Sequence, residues 1–135
     1  MQSEKTQIIV RQFLQFLTER NLDALVELFA DKIDWDIPGD QENAAWLGKR
    51  SGKNSVREFY ELLWNNTEPI SAEIEKLLFE ENYAAIIGKF ETKMLQTGKI
   101  VQSFFCIQIT LENDLIKKYR LFEDSYAVSQ ALIKT

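Results

Sequence analysis

Residues 31–39 read Asp31-Lys32-Ile33-Asp34-Trp35-Asp36-Ile37-Pro38-Gly39, with an apolar side chain at every second position from Ile33 to Ile37. That period of two belongs to a half-buried strand, and Pro38-Gly39 ends it. The chain before it keeps a different period. Over residues 4–19, Ile9, Phe13 and Phe16 recur at spacings of four and three, as do Val10, Leu14 and Leu17. This wide apolar stripe predicts an amphipathic helix. Asn21 can cap a second helix, with Asp23 in its first turn and Leu22, Leu25, Val26 and Phe29 facing inward, ending near Asp31. The switch of period at residues 31–39 therefore marks where a helical segment gives way to sheet.

Downstream, a polar loop holds Trp46 and Gly48, and a third helix is expected to begin at Ser51 or Gly52 with Val56, Phe59 and Leu63 inward. Pro69 ends the helical part. The remainder reads as strands over 70–79, 83–95, 100–111 and 115–124. Turns are expected at Glu81-Asn82, Gln96-Thr97-Gly98-Lys99 and Glu112-Asn113-Asp114. Helices followed by a run of strands give an α+β fold, three N-terminal helices packed on an antiparallel sheet. Nothing in the sequence marks a linker or an internal repeat, so residues 1–135 are expected to form one domain. Phe104 to Ile107 and Ala84 to Ile87 are apolar on both strand faces, whereas a sheet wetted on one face should alternate. Either the chain tail or a second copy covers the outer face; a homodimer packed sheet to sheet is the expectation.

Composition removes whole classes of chemistry. The 135 residues contain no histidine and a single cysteine, Cys106. Ser-His-Asp and Cys-His nucleophile systems, a histidine base and multi-cysteine metal sites are thereby excluded. Sixteen basic against 21 acidic residues leave a net charge of −5, which argues against nucleic acid as partner. No apolar run reaches the roughly 18 residues of a membrane span. The first residues lack the basic-then-apolar order of a secretory signal, so a soluble cytoplasmic protein is expected. Asp34, Asp36 and Asp40 sit without a glycine-bounded calcium loop, and Gly48 and Gly52 lack a following Lys-Ser or Lys-Thr; no metal site and no cofactor are expected.

The strings Asn21-Leu22-Asp23-Ala24-Leu25, Leu28-Phe29-Ala30-Asp31 and Trp35-Asp36-Ile37-Pro38-Gly39 resemble the second helix and first strand of ketosteroid-isomerase-like proteins. Trp46-Leu47-Gly48 with Ser51-Gly52, and the segment from Tyr119 to Tyr126, are similar to the SnoaL-like polyketide cyclase branch. Both belong to the nuclear-transport-factor-2-like superfamily. The resemblance implies a cone-shaped fold with a cavity between the helices and the concave sheet face, taking a small apolar or ring-containing molecule. It implies further that the ketosteroid isomerase tyrosine falls on Phe13, the base on Ile37 and the protonated aspartic acid near Ile107, so that all three polar groups are replaced by hydrocarbon. The cyclase aspartate matches Asp124, and its histidine partner cannot exist in this chain.

Strand alternation puts Ile116, Lys118, Arg120, Phe122 and Asp124 on one face and Tyr119, Leu121 and Glu123 on the other. The resemblance suggests that the Arg120–Asp124 face looks inward, with Asp124 as base and Arg120 as its electrostatic partner. Trp35, Ile37, Trp46, Tyr60, Phe105, Ile107 and Phe13 are the expected ligand-binding walls, with the Tyr60 hydroxyl orienting the ligand. The functional expectation is a small-molecule-binding protein, a cofactor-independent isomerase, cyclase or lyase acting on an apolar ring substrate. The alternative is a non-catalytic dimeric ligand-binding or interaction module.

Overall fold

The computed structural model describes residues 2–134. The elements run α1 (Gln2–Glu19), α2 (Leu22–Glu27), β1 (Phe29–Ile37), β2 (Gly48–Gly52), α3 (Lys53–Asn66), β3 (Thr67–Glu80), β4 (Tyr83–Met94), β5 (Ile100–Glu112), β6 (Leu115–Glu123) and α4 (Ser125–Ala131). The six strands form one sheet in the order β2-β1-β6-β5-β4-β3. The architecture is α+β, with the helices packed against a curved sheet. Neighbours run antiparallel except β1 and β6, which are parallel, Asp34 facing Lys118 and Asp36 facing Arg120.

The parallel β1–β6 pair makes the sheet mixed where an antiparallel one was expected, and three further features differ from the sequence reading. The second helix stops at Glu27, not near Asp31. Leu28 offers its carbonyl to the Ile116 amide at 2.8 Å, and Phe29 already pairs with β6. Phe29 is buried in either conformation, so periodicity could not separate helix end from strand start. Second, β2 lies where a loop was expected; Gly-Lys-Arg-Ser-Gly has no apolar residue because it is an edge strand. Third, the tail forms α4, with the Asp124 carboxylate accepting from the Ala127 amide at 3.0 Å as its N-cap.

Curvature comes from bulges and one glycine. Register shifts interrupt β3 between Ile74 and Lys76, opposite Gly88 of β4. A Cβ on Gly88 would lie 2.2 Å from the Glu73 carbonyl oxygen and 2.9 Å from the Phe105 ring. Phe105 thus lies across a position no other residue can occupy, and the sheet folds over it. A further bulge separates Leu111↔Ile116 from Thr110↔Lys118, so that Ile116 and Tyr119, three apart, both point inward.

The closed end of the cone is solid. Phe13 of α1, Phe29 and Trp35 of β1, Phe59 and Tyr60 of α3 and Tyr119 of β6 pack ring to ring. The Trp35 indole lies flat on Tyr119, with centroids 4.2 Å apart and planes 12° apart. Each such contact adds about 0.5–1.5 kcal/mol beyond its buried area.

Candidate functional site

Toward the other end of the cone the helices run out before the sheet does, and a cavity of about 280 Å³ remains. Its walls are Leu17 of α1, Ile37 of β1, Trp46 and Leu47, and Phe59, Leu63 and Trp64 of α3. Pro69 and Ala72 of β3, Phe90 and Met94 of β4, Phe105 and Ile107 of β5, Leu121 of β6 and Val128 of α4 complete them. The polar groups on the lining are few: Arg20, Thr67, Thr92 and Glu123. Thr67 is already committed, donating its hydroxyl to the Leu63 carbonyl at 2.6 Å. Among the described residues Glu123 is the only carboxylate on the lining.

Glu123 stands at the last position of β6 and follows Tyr119 and Leu121 along the inward face. Its burial among hydrocarbon, with the Asp124 carboxylate next in the chain as a smaller cause, lifts its pKa from an ordinary 4.5 to about 7. At neutral pH such a group divides between acid and base forms, as proton transfer requires. At the rim stands Arg20, one residue past α1. Its guanidinium carbon lies 5.4 Å from the centroid of the Trp64 ring.

Asp124 and Arg120, expected inside, lie elsewhere. Asp124 is exposed and its carboxylate caps α4. Arg120 donates to the Asp34 carbonyl at 2.9 Å and the Asp34 carboxylate at 2.7 Å across the β1–β6 junction. The bulge after Ile116 is the physical reason. It shifts the alternation by one, and every later residue of the strand changes face. Inward-pointing Tyr119 and Leu121 were the signal for Glu123; nothing in the sequence pointed to Arg20.

Of the expected walls, Ile37, Trp46, Phe105 and Ile107 line the cavity. Phe13, Trp35 and Tyr60 do not; they belong to the packed aromatic end. The Tyr60 hydroxyl and the Trp35 Nε1 are buried with no hydrogen-bond partner. Burial pushes the Tyr60 and Tyr119 phenols up, so both stay protonated at neutral pH. The Tyr60 hydroxyl is thus buried in the packed end and does not stand on the cavity wall.

A larger but open depression adjoins the cavity, sharing Phe90, Phe105 and Glu123 with it and reaching Phe104, Cys106, Phe122 and Asp124. Phe104 is 74% exposed and Phe122 44%. Among the described residues the tail covers none of it, because α4 turns to the cavity side, where Val128 joins the lining. Among the described residues no group of three or more histidine, cysteine or carboxylate side chains could hold a metal ion. No helix among them is long and apolar enough to cross a membrane.

Comparison with known proteins supplies the wider frame. A family model described as a SnoaL-like domain matches residues 10–119. An NTF2-like protein from Burkholderia xenovorans superposes with a TM-score of 0.89 at 17% identity, over 98% of this chain and 99% of that one. A candidate isomerase from Rhodopseudomonas palustris gives 0.81 at 21% identity, covering 98% of each chain. A candidate SnoaL-like polyketide cyclase from Mesorhizobium loti gives 0.71 at 20% identity, over 85% of this chain and 96% of that one. At these identities the structural likeness is one of fold. No curated protein matches the sequence significantly.

Proposed function

This chain belongs to the SnoaL-like domain family, and on that premise we propose that it binds a small apolar ring compound in the cone and moves a proton on it with Glu123. The reading is a cofactor-independent isomerase, cyclase or lyase. One observation carries it: a single carboxyl group, raised to about 7, on an otherwise nearly hydrocarbon cavity wall. Its oxygens are tied up by neither a hydrogen bond nor an ion pair among the described residues, so they are free to meet a substrate.

The chemistry follows from that placement. The ionised Glu123 removes a proton from a carbon next to a substrate carbonyl, and the protonated form returns it to another carbon or to a leaving oxygen. Excluding water strengthens every charge interaction inside the cavity. The Thr92 hydroxyl on the lining can donate to the developing oxyanion. A hydrophobic pocket that holds a carboxylic acid half-protonated is a known way to run such chemistry at neutral pH. Replacement of Glu123 by glutamine keeps the shape and removes the titration. Turnover of an activated ring ketone or lactone should fall by about 10²–10⁴, with the melting temperature no lower than the parent's. Unchanged turnover in Glu123→Gln rejects the assignment and leaves a ligand-binding module without catalysis.

We propose in addition that a second copy covers the outer sheet face. The support is the exposure of Phe104 and Phe122 side by side with Cys106 on strands β5 and β6, an apolar surface the tail leaves open. Sedimentation should give a mass near twice 15.8 kDa, and Phe104→Glu should return it to one. A parent protein that sediments as a monomer at micromolar concentration rejects the dimer.

A further inference from the structure

Arg20 is an arginine in a glycine's place. The end of α1 is closed by two bonds, Arg20 N–H to the Leu17 carbonyl at 3.2 Å and Asn21 N–H to the Phe16 carbonyl at 3.0 Å. This is the Schellman pattern, in which the residue after the helix turns left-handed and is usually glycine. Arg20 does so at φ 53°. An ordinary side chain is held there at a cost in strain, and Asn21, one residue later, is committed to capping α2 through the Ala24 amide. The turn directs the guanidinium across the face of Trp64, at the edge of the cavity. No carboxylate pairs with it among the described residues. A cation over a ring is held by the ring's electron-rich face, which leaves its N–H groups available to a ligand.

The remaining lining separates two kinds of surface. Among the described residues Arg20 is the only cation on it and Glu123 the only anion; between them the walls are largely hydrocarbon with two threonines. A volume of about 280 Å³ lies at the small end of ligand pockets, which limits the occupant to a compact molecule of one or two rings. A guanidinium fork matches a carboxylate through two parallel hydrogen bonds, and it matches no neutral group as well.

We propose that the cavity selects ring compounds bearing a carboxylate, which Arg20 receives at the rim while the ring enters the hydrocarbon interior toward Glu123. The proposal rests on the cavity being the binding site and adds the class of ligand. The two acidic groups do not repel each other at mildly acid pH, because Glu123 is then protonated. Arg20 is a specificity-determining residue in this scheme, and its own backbone supplies the control. Glycine at position 20 is compatible with the left-handed turn, so Arg20→Gly removes the guanidinium while relieving the strain.

The test compares 2-naphthoic acid with 2-naphthamide, which has the same shape without the charge, by titration calorimetry at pH 6. The parent should bind the acid about 10-fold or more tightly than the amide, the order expected of a charge-assisted pair. Arg20→Gly should bind the two alike, keep the parent's affinity for the amide within about twofold, and melt no lower than the parent. Arg20→Gln should show the same loss of preference. Equal binding of acid and amide by the parent overturns the inference and leaves the cavity reading standing. So does an acid preference that survives in Arg20→Gly. Binding of neither compound overturns both.

Discussion

The two ends of the cone are built from the same kinds of residue and come out opposite. At the closed end Phe13, Phe29, Trp35, Phe59, Tyr60 and Tyr119 fill the space between helices and sheet ring against ring. At the open end Trp46, Trp64, Phe90 and Phe105 surround a void. Aromatic content does not decide which outcome occurs; the covering elements do. Both α1 and α3 lie over the closed end, but α1 turns away at Arg20 and α3 at Thr67, and Trp46, Leu47 and Val128 of α4 beyond them leave the space over the sheet unfilled. The polar atoms divide the same way. Tyr60 and Trp35 keep unpartnered polar atoms locked in the packed end, where no ligand meets them, while Glu123 and Arg20 meet the open space.

Truncation at the packed end should break that contrast most severely. Trp35→Ala removes the ring that joins β1, α3 and β6, and a loss of about 3–5 kcal/mol in unfolding free energy by chemical denaturation is expected. Phe105→Ala at the open end borders an existing void, and its stability loss should be smaller than that of Trp35→Ala in the same assay. Comparable losses would mean that the two ends are equally packed. The pH dependence of stability sharpens the contrast next. Glu123 has a folded-state pKa of about 7 against 4.5 ordinarily, so folding favours its protonated form. Its contribution is full below pH 4.5 and is lost as pH rises through 7. Glu123→Gln should therefore overtake the parent in melting temperature by several degrees at pH 8 and show little gain at pH 5. A pH-independent difference would place the carboxyl in water. The smallest effect belongs to Tyr60→Phe, which deletes a buried hydroxyl that has no partner. A change within about 1 kcal/mol, in the stabilising direction, is expected by thermal denaturation. A loss of 2 kcal/mol or more would reveal a bridging water or a Tyr119 hydrogen bond holding that hydroxyl.

Much of the fold was legible because periodicity reports burial directly. The stripe through Phe13 and Phe16, the alternation from Ile33 to Ile37 and the turn residues at 96–99 fall on α1, β1 and the β4–β5 connection. What escaped was short or lacked apolar residues. Gly48–Gly52 carries no hydrophobic signal, and α4 announces itself only through Asp124, whose capping role is indistinguishable in sequence from a catalytic one. The candidate site was partly legible: Ile37, Trp46, Phe105 and Ile107 were read as walls and stand on the cavity lining. Its polar centre was displaced by one residue, since a single inserted position near Lys117 shifts the face of everything that follows. A bulge has no residue signature strong enough to read from one chain. Arg20 depends on a backbone angle, which composition does not encode.

The pairing of β1 with β6 has a consequence for how the molecule comes into being. Strands β3 to β6 are joined by short turns and can zip together locally. β1 meets its parallel partner only across a wide gap, spanned by the Arg120–Asp34 contact 86 positions apart in the chain. Closing so large a loop costs entropy that no local contact offsets, and such distant pairings set slow folding rates. On a ribosome the first strand and its aromatic residues must wait, unpaired, until residues 115–123 have emerged. Only then do Phe29 and Trp35 find Tyr119, and only then does the cone have an inside.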